Sequence, residues 1–199
     1  LLRPAQEAVR SPLGDEVVRA KQALAEAAAG RRVALVCSGD AGVYGMASIT
    51  CELADDAVDI DVVPGVTAAL AAAAALGAPL GHDHAAISLS DLLTTWATIS
   101  SRLRAAAAGD LVISLYNPRS QGRDWQLDAA RRLLLEYRSP DTPVGVVTDA
   151  GRAGRERVVL TTLGDLDTAG VGMTSCVVVG ATTSRVIGGR MVTPRGYQP

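Results

Sequence analysis

The fold is constrained most strongly by a pattern that occurs twice in succession. Each time, an apolar run is followed by a glycine-containing turn and then by a helical pattern. The first apolar segment, 31–37, runs into the turn SGDAGVYG and then a helix. The second, 58–65, ends at a Pro-Gly pair before another helix. Strands that alternate with helices in this way are typical of α/β folds with a parallel sheet. We therefore expect 31–37 and 58–65 to be strands of one sheet.

The segment GAPLGHDHAA (77–86) interrupts this rhythm with two glycines and a proline. We place a domain boundary within it, which gives domains of residues 1–82 and 83–199. The second part contains further apolar runs, two helical patterns and strands that follow one another without a helix, which indicates some antiparallel pairing. The sequence therefore predicts two α/β domains.

Charge and composition exclude several classes of protein. The formal net charge is −2, so no overall field attracts nucleic acid or an anionic membrane. No apolar stretch approaches the roughly 18 residues of a membrane span, and we expect a cytoplasmic protein. The three cysteines are widely spaced without a CxxC pair, and the HDH sequence at 82–84 lacks further ligands. We therefore predict no metal site.

The turn with Asp40 is the first candidate binding element. Ligands of open α/β sheets bind beyond the carboxyl ends of strands. The phosphate-loop patterns GxxxxGK[ST] and GxGxxG are absent, and an acid would repel a pyrophosphate. Asp40 suits a ligand with hydroxyl or amine groups, or it caps the next helix. Thr67, just after Pro64-Gly65, is either a helix cap or a contact at the same sheet edge.

Arginines cluster in two later loops. Arg119 and Arg123 follow the strand pattern that ends at Asn117, and a second set lies within TDAGRAGRERV (148–158). Most loop arginines are solvated. Because the guanidinium group binds carboxylates through two hydrogen bonds, two such clusters after strands favour an anionic ligand with several carboxylates.

The motifs SGDAGVYGMAS, VVPGVTAA, LYNPRS, GRAGRE and TPRGY, in this order, resemble those of the tetrapyrrole methylase family over essentially the whole chain. Within that family they are most similar to the enzymes that methylate precorrin-3B at C17. The resemblance implies a homodimer of two-domain subunits with the active site in the cleft between the domains. It implies S-adenosylmethionine as methyl donor, S-adenosylhomocysteine as product, and ring contraction to precorrin-4 in cobalamin biosynthesis.

The resemblance also assigns site residues. The cofactor contacts it implies are Ser38, Gly39, Asp40, Val43, Thr67, Ala68, Asn117 and Ala150. For the carboxylates of the substrate we select Arg119, Arg152 and Arg155. Ring contraction requires removal of a proton from a ring hydroxyl. His82, His84 and Asp91 are suitable by residue type, but no motif assigns the catalytic residue.

Three features depart from the family pattern. Ala41 replaces the proline of the Gly-Asp-Pro turn, and VGATTSR (179–185) stands where relatives have an Asn after the glycine. The strand and Gly-Pro-rich loop with which the family opens do not lie within residues 1–199. The alternatives are a methylase of another ring carbon or a non-catalytic binding protein of this fold. A nicotinamide-dependent oxidoreductase is disfavoured because GxGxxG is absent.

Overall fold

The computed structural model describes residues 3, 6–12, 14–56 and 58–197. Contacts along the chain divide it into two compact units, Leu1–Thr67 and Ala68–Pro199, which we describe in turn as unit 1 and unit 2. The domain boundary expected between residues 82 and 83 stays a prediction. Among the described residues, no helix has the length and apolar character needed to cross a membrane.

Unit 1 contains two helices, close to the positions that the patterns DEVVRAKQALAEAAA (15–29) and ASITCELAD (47–55) predict. Helix α1 spans Glu16–Ala28, and Gly30 lies just beyond it with a φ of +83°, a left-handed conformation that glycine adopts readily. Helix α2 spans Ala47–Leu53. The prediction of strands at 31–37 and 58–65 is wrong for this structure, since neither segment is assigned as a strand.

The two segments lack the partner that a strand requires. A strand is stabilised by hydrogen bonds to a neighbouring backbone, and none from the described residues reaches 32–38 or 59–64. Both segments instead line a cavity of about 530 Å³, together with apolar side chains of α1 and α2. Their valines are therefore poorly covered: Val36 is 84% exposed and Val63 is 72% exposed.

Unit 2 is built on a five-stranded sheet with strand order β2-β3-β6-β4-β5. The strands are β2 (His84–Ser88), β3 (Val112–Tyr116), β4 (Pro143–Thr148), β5 (Arg157–Thr162) and β6 (Ser175–Val179). The helices are α3 (Ala68–Leu76), α4 (Trp96–Ala108) and α5 (Gln126–Leu134). A small second sheet joins β1 (Gly77–Ala78), β8 (Arg190–Val192) and β7 (Arg185–Ile187). These elements lie close to the predicted patterns, except for the three short strands, which the sequence did not indicate.

The strand directions define two edges of the large sheet. Strands β2 and β3 are parallel, while β6 is antiparallel to both β3 and β4, so β2, β3 and β4 run in the same direction. We call the side on which they end, at Ser88, Tyr116 and Thr148, the carboxyl edge, and the opposite side the amino edge. Ligands of open α/β sheets bind at the former.

Both faces of this sheet are covered. Because side chains alternate along a strand, Val177 and Val179 of β6 pack with α4 and α5, whereas Cys176 and Val178 pack with α3. Burial raises the pKa of the Cys176 thiol to about 12. All five residues of β3 and of β6 are buried, as expected of strands covered on both faces.

A buried arginine organises the amino edge. The Arg138 side chain is 2% exposed and forms an ion pair with Asp110 at 2.8 Å. It also donates to the carbonyl oxygens of Ala107, Leu111 and Gly180 at 2.9, 3.1 and 3.3 Å. Burial lowers the pKa of Arg138, against the attraction of Asp110. These contacts join the end of α4 to the turns that lead into and out of the sheet.

Asp110 extends this network to the turn after β6. It accepts hydrogen bonds from the N–H of Thr182 at 2.9 Å and from its hydroxyl at 2.5 Å. Burial acts to raise the pKa of Asp110, but the two bonds from Thr182 and the charge of Arg138 outweigh it and leave the pKa lowered. The segment VGATTSR therefore lies at the amino edge and has a structural role there.

Candidate functional site

In unit 1, the Asp40 carboxylate joins two turns. Its Oδ1 accepts a hydrogen bond from the N–H of Gly42, within its own turn, at 2.8 Å. Its Oδ2 accepts one from the N–H of Gly65, in the Pro-Gly turn, also at 2.8 Å. These two N–H groups, that of Gly65 first, hold the pKa of Asp40 below its usual range. The carboxylate is therefore ionised near neutral pH and fixes one turn against the other.

The same contact explains the glycine of the Pro-Gly turn. A Cβ built on Gly65 would overlap the carbonyl oxygen of Gly39, so a side chain at 65 would push the two backbones apart. Gly39 itself has a φ of +79°, and a Cβ there would come within 3.8 Å of the Cα of Thr67. The structure thus brings Gly39, Asp40 and Thr67 together.

The helix-cap interpretation of Asp40 is wrong. Helix α2 has Met46 at its N-cap position, with no side-chain cap hydrogen bond. Asp40 instead accepts the N–H of Val43 through its backbone oxygen, at 3.3 Å, which closes the turn. Ser38 is exposed and Val43 is half-buried.

In unit 2, three of the predicted cofactor residues lie at the carboxyl edge. Asn117 follows β3 with a φ of +49°, and its Nδ2 donates to the Ser88 hydroxyl at the end of β2, at 3.1 Å. The Tyr116 hydroxyl accepts the N–H of Ala69 at 2.9 Å, which places the first turn of α3, with Ala68, at this edge. Ala150 follows β4 and packs on the same core cluster as Ala68.

The predicted substrate arginines lie on the turns of the same edge. Arg119 donates to the carbonyl oxygens of Asp124 and Thr168 at 3.0 and 3.3 Å and lines a cavity of about 330 Å³. Arg152 forms an ion pair with Asp149 at 3.0 Å, and Arg155 is exposed. Their contacts with a substrate stay predictions.

Other candidates lie elsewhere. His84 is the first residue of β2, and His82 precedes it, so both imidazoles are at the amino edge. The described residues contain no group of three or more His, Cys, Asp or Glu side chains that could hold a metal ion.

Sequence reasoning gave no role to several residues that position this site. Ser88 holds the Asn117 side chain, Tyr116 holds the start of α3, and Gly65 allows the close approach of two turns. A signal was present for Ser88 and Tyr116, because each lies within a predicted strand, AISLS (86–90) or GDLVISLYNP (109–118). Their partners could not be read from the sequence, since they lie 29 and 47 residues away.

The sequence matches the profile of the Tetrapyrrole (Corrin/Porphyrin) Methylases over residues 2–167. The chain belongs to this family. It is 49% identical over 195 residues to the probable cobalt-factor III C(17)-methyltransferase of Salmonella typhimurium, covering 96% of this chain and 80% of that protein. It is 45% identical over 192 residues to the precorrin-3B C(17)-methyltransferase of a Sinorhizobium species, covering 94% of this chain and 75% of that protein.

A solved methyltransferase has nearly the same fold. The crystal structure of the methyltransferase CobJ superposes with a TM-score of 0.93 at 37% sequence identity, covering 98% of this chain and 83% of that one. The predictions of the family and of the α/β fold class are therefore confirmed.

Proposed function

We propose that this tetrapyrrole methylase is an S-adenosylmethionine-dependent C-methyltransferase of cobalamin biosynthesis. It methylates precorrin-3B, or the cobalt-containing form of that ring system, at C17, with ring contraction to the precorrin-4 stage. The observation that carries the proposal is the identity of 49% and 45%, over more than nine-tenths of the chain, with two proteins named as C(17)-methyltransferases.

The chemistry of the predicted cofactor residues fits S-adenosylmethionine. The eight residues include one carboxylate, Asp40, small or uncharged side chains, and no arginine or lysine. Such a set suits a ligand with a sulfonium, an ammonium group and ribose hydroxyls, whereas a phosphate ligand would favour basic side chains. The ionised Asp40 supplies negative charge, and Ala68 and Ala150 contribute small uncharged side chains.

In this proposal the protein contributes mainly placement. Bound S-adenosylmethionine supplies a methyl group on an already activated sulfonium. Correct alignment of reacting groups alone can lower a barrier by about 7–11 kcal/mol at best. Asp40 would keep its two turns in register for the cofactor, and Asn117, held by Ser88, would present its backbone at the carboxyl edge.

The arginines of the carboxyl edge would bind the acidic side chains of the substrate. Arg119, Arg152 and Arg155 lie on two turns of one sheet edge, so they can reach different carboxylates of one large ring. Reversing the charge at Arg119 should raise the substrate KM much more than the Kd of the cofactor. The protein would act in the cytoplasm as a homodimer, without nucleic acid or membrane partners.

The test is methyl transfer to defined substrates. The protein is incubated with ¹³C-methyl S-adenosylmethionine and either precorrin-3B or cobalt-factor III, and the product is followed by mass, absorbance and NMR. We expect one added methyl group at C17 and a contracted ring, and the faster substrate identifies the natural form. A label at another ring carbon would instead support a related methylase of different position.

Calorimetry provides an independent test of the cofactor. S-adenosylhomocysteine should bind to the protein, and NAD should not. Binding of NAD alone would contradict the proposal, and binding of S-adenosylhomocysteine without turnover of either substrate would support a non-catalytic binding protein.

A further inference from the structure

This inference rests on the proposed function, which requires a group that removes a proton from a ring hydroxyl. Of the three residues suitable by type, His82 and His84 lie at the amino edge, and His84 is four residues from Ser88, or roughly 13 Å along an extended strand. Asp91 follows Ser88 by three residues and lies in the turn at the carboxyl edge, where Asn117 also lies. The topology therefore favours Asp91.

The Asp91 carboxylate is oriented by a buried amide. Gln126, the first residue of α5, is 2% exposed, and its Nε2 donates to Oδ2 of Asp91 at 2.9 Å. The other end of the amide, Oε1, has no hydrogen-bond partner among the described residues. Burying an amide with part of its hydrogen bonding unused is unfavourable. Among the described residues, the Gln126 amide makes its side-chain hydrogen bond to Asp91. We therefore assign Gln126 the role of orienting the Asp91 carboxylate.

The backbone before Asp91 is held by a second buried side chain. Arg123 is 7% exposed, unlike a typical loop arginine. Its Nη1 donates to the Ser90 hydroxyl at 3.2 Å, and its Nη2 donates to the carbonyl oxygen of Asn117 at 2.9 Å. The guanidinium thus links the turn after β2 to the turn after β3. Asp91 is therefore positioned in two ways: Arg123 holds the neighbouring Ser90, and Gln126 holds the Asp91 carboxylate.

The surroundings of Asp91 suit a large ring that carries a hydroxyl. Its Oδ1 receives no hydrogen bond from a described residue, in contrast to Oδ2. The next two residues, Leu92 and Leu93, are 83% and 100% exposed. Trp125, stacked edge-on against Trp96, is 46% exposed. A half-buried carboxylate beside exposed apolar side chains can accept a proton from a hydroxyl on a flat conjugated substrate that covers them.

We propose that Asp91 is the catalytic base and that Gln126 and Arg123 are its positioning residues. The O–H bond of the ring hydroxyl breaks, and its proton moves to Oδ1 of Asp91. The electron pair of that bond becomes the second bond of a ketone while the adjacent ring carbon–carbon bond shifts to the neighbouring ring atom. The displaced electron pair passes through the conjugated ring to C17, which becomes the nucleophile. Bound S-adenosylmethionine would supply the methyl group, and the electron pair of the broken methyl–sulfur bond would stay on the sulfur of S-adenosylhomocysteine. Asp91 then releases the proton to solvent.

The test compares Asp91→Asn with wild type in the methyl-transfer assay. Asparagine keeps the shape and can still accept the Gln126 hydrogen bond, but it cannot take up the proton. We expect kcat to fall about 100-fold or more, while KM and the Kd of S-adenosylhomocysteine stay within about threefold of wild type. Added formate should restore part of the rate in Asp91→Ala, which a purely structural role would not produce.

Matched variants complete the test. Gln126→Leu should lower kcat by about tenfold with little change in KM, and His82→Gln and His84→Gln should leave kcat unchanged. If Asp91→Asn retains most of its kcat, or if a histidine variant takes the loss instead, the assignment is overturned while the proposed function stands. If wild type transfers no methyl group to either substrate, the proposed function itself is wrong, and the role of Asp91 falls with it.

Discussion

The two units hold their shares of the predicted cofactor residues by different means. In unit 2, Asn117 follows a fully buried strand, and a five-stranded sheet covered on both faces fixes its position. In unit 1, Gly39 and Thr67 lie in turns that no strand pairing supports among the described residues, and one carboxylate, Asp40, joins these turns. Residues on a sheet edge are placed by many cooperative contacts, whereas the two turns of unit 1 are joined through the carboxylate of a single residue.

An apolar run becomes a paired strand in unit 2 but not in unit 1. Val36 and Val178 both belong to apolar runs that predict strands. Val178 has partners on both sides and is fully buried, whereas Val36 is 84% exposed beside a cavity of about 530 Å³. An apolar pattern therefore makes a segment suitable as a strand, but the segment pairs only where a neighbouring backbone is available.

The largest effect on stability should come from the amino edge of unit 2. Arg138→Met removes an ion pair and the donors to three carbonyl groups, so the free energy of unfolding should fall by about 3 kcal/mol, measured by urea denaturation. Arg132→Met is the matched control, because Arg132 pairs with Asp128 at the surface. This change should lower the free energy of unfolding by less than about 0.5 kcal/mol. Equal effects of the two variants would contradict the role given to Arg138.

Removing the Asp40 carboxylate tests its role in joining the two turns of unit 1. Asp40→Ala frees the N–H groups of Gly42 and Gly65, and we expect the Kd of S-adenosylhomocysteine to rise about 100-fold or more. Asn117→Ala should raise it only about tenfold, because the sheet still places that backbone. Asp56→Ala, which removes an exposed acid of the same unit, should have no effect. Unchanged affinity in Asp40→Ala would show that the two turns are held by other contacts.

A valine pair compares the two units directly. Val178→Ala leaves a cavity in the covered sheet and should cost about 2 kcal/mol of unfolding free energy. Val36→Ala trims an exposed side chain and should cost less than about 0.5 kcal/mol. Thermal or urea unfolding measures both. A large loss in Val36→Ala would mean that this segment is paired in solution.

The smallest expected effect is a pH-dependent loss of stability when Asp110 is replaced. Because the folded pKa of Asp110 is lowered, its stabilisation is fully present above the unfolded value of about 3.9 and is lost as the pH falls through the folded value. Asp110→Asn should therefore be less stable than wild type by about 1 kcal/mol at pH 7, with a difference that shrinks below about pH 4. A difference that grows on acidification would reverse this sign.

The sequence was sufficient where local pattern decides the structure. Helix α1 and the buried strands of unit 2 follow from periodicity, and the placement of Asn117 at a carboxyl edge follows from its position after a strand. The family resemblance, which rested on the motifs in their order, is confirmed.

What the sequence could not provide depends on contacts between distant residues. The bond from the Gly65 N–H to Asp40 spans 25 residues, and the interaction of Gln126 with Asp91 spans 35. Arg123 belongs to a loop that usually leaves arginines in solvent, yet it is buried because two turns fold over it. In the sequence, residue type alone makes Asp91 a candidate, and only the sheet topology separates it from His82 and His84 at the other edge.

The cysteines offer a way to time the opening of unit 2. The thiolate is the reactive form of cysteine, and a pKa of about 12 leaves Cys176 almost entirely protonated while it is buried in the sheet. Cys51, on α2 of unit 1, is exposed. A pulse of alkylating reagent should therefore label Cys51 at once and Cys176 only when the sheet opens. The labelling rate of Cys176 would report the opening of unit 2 without any engineered probe.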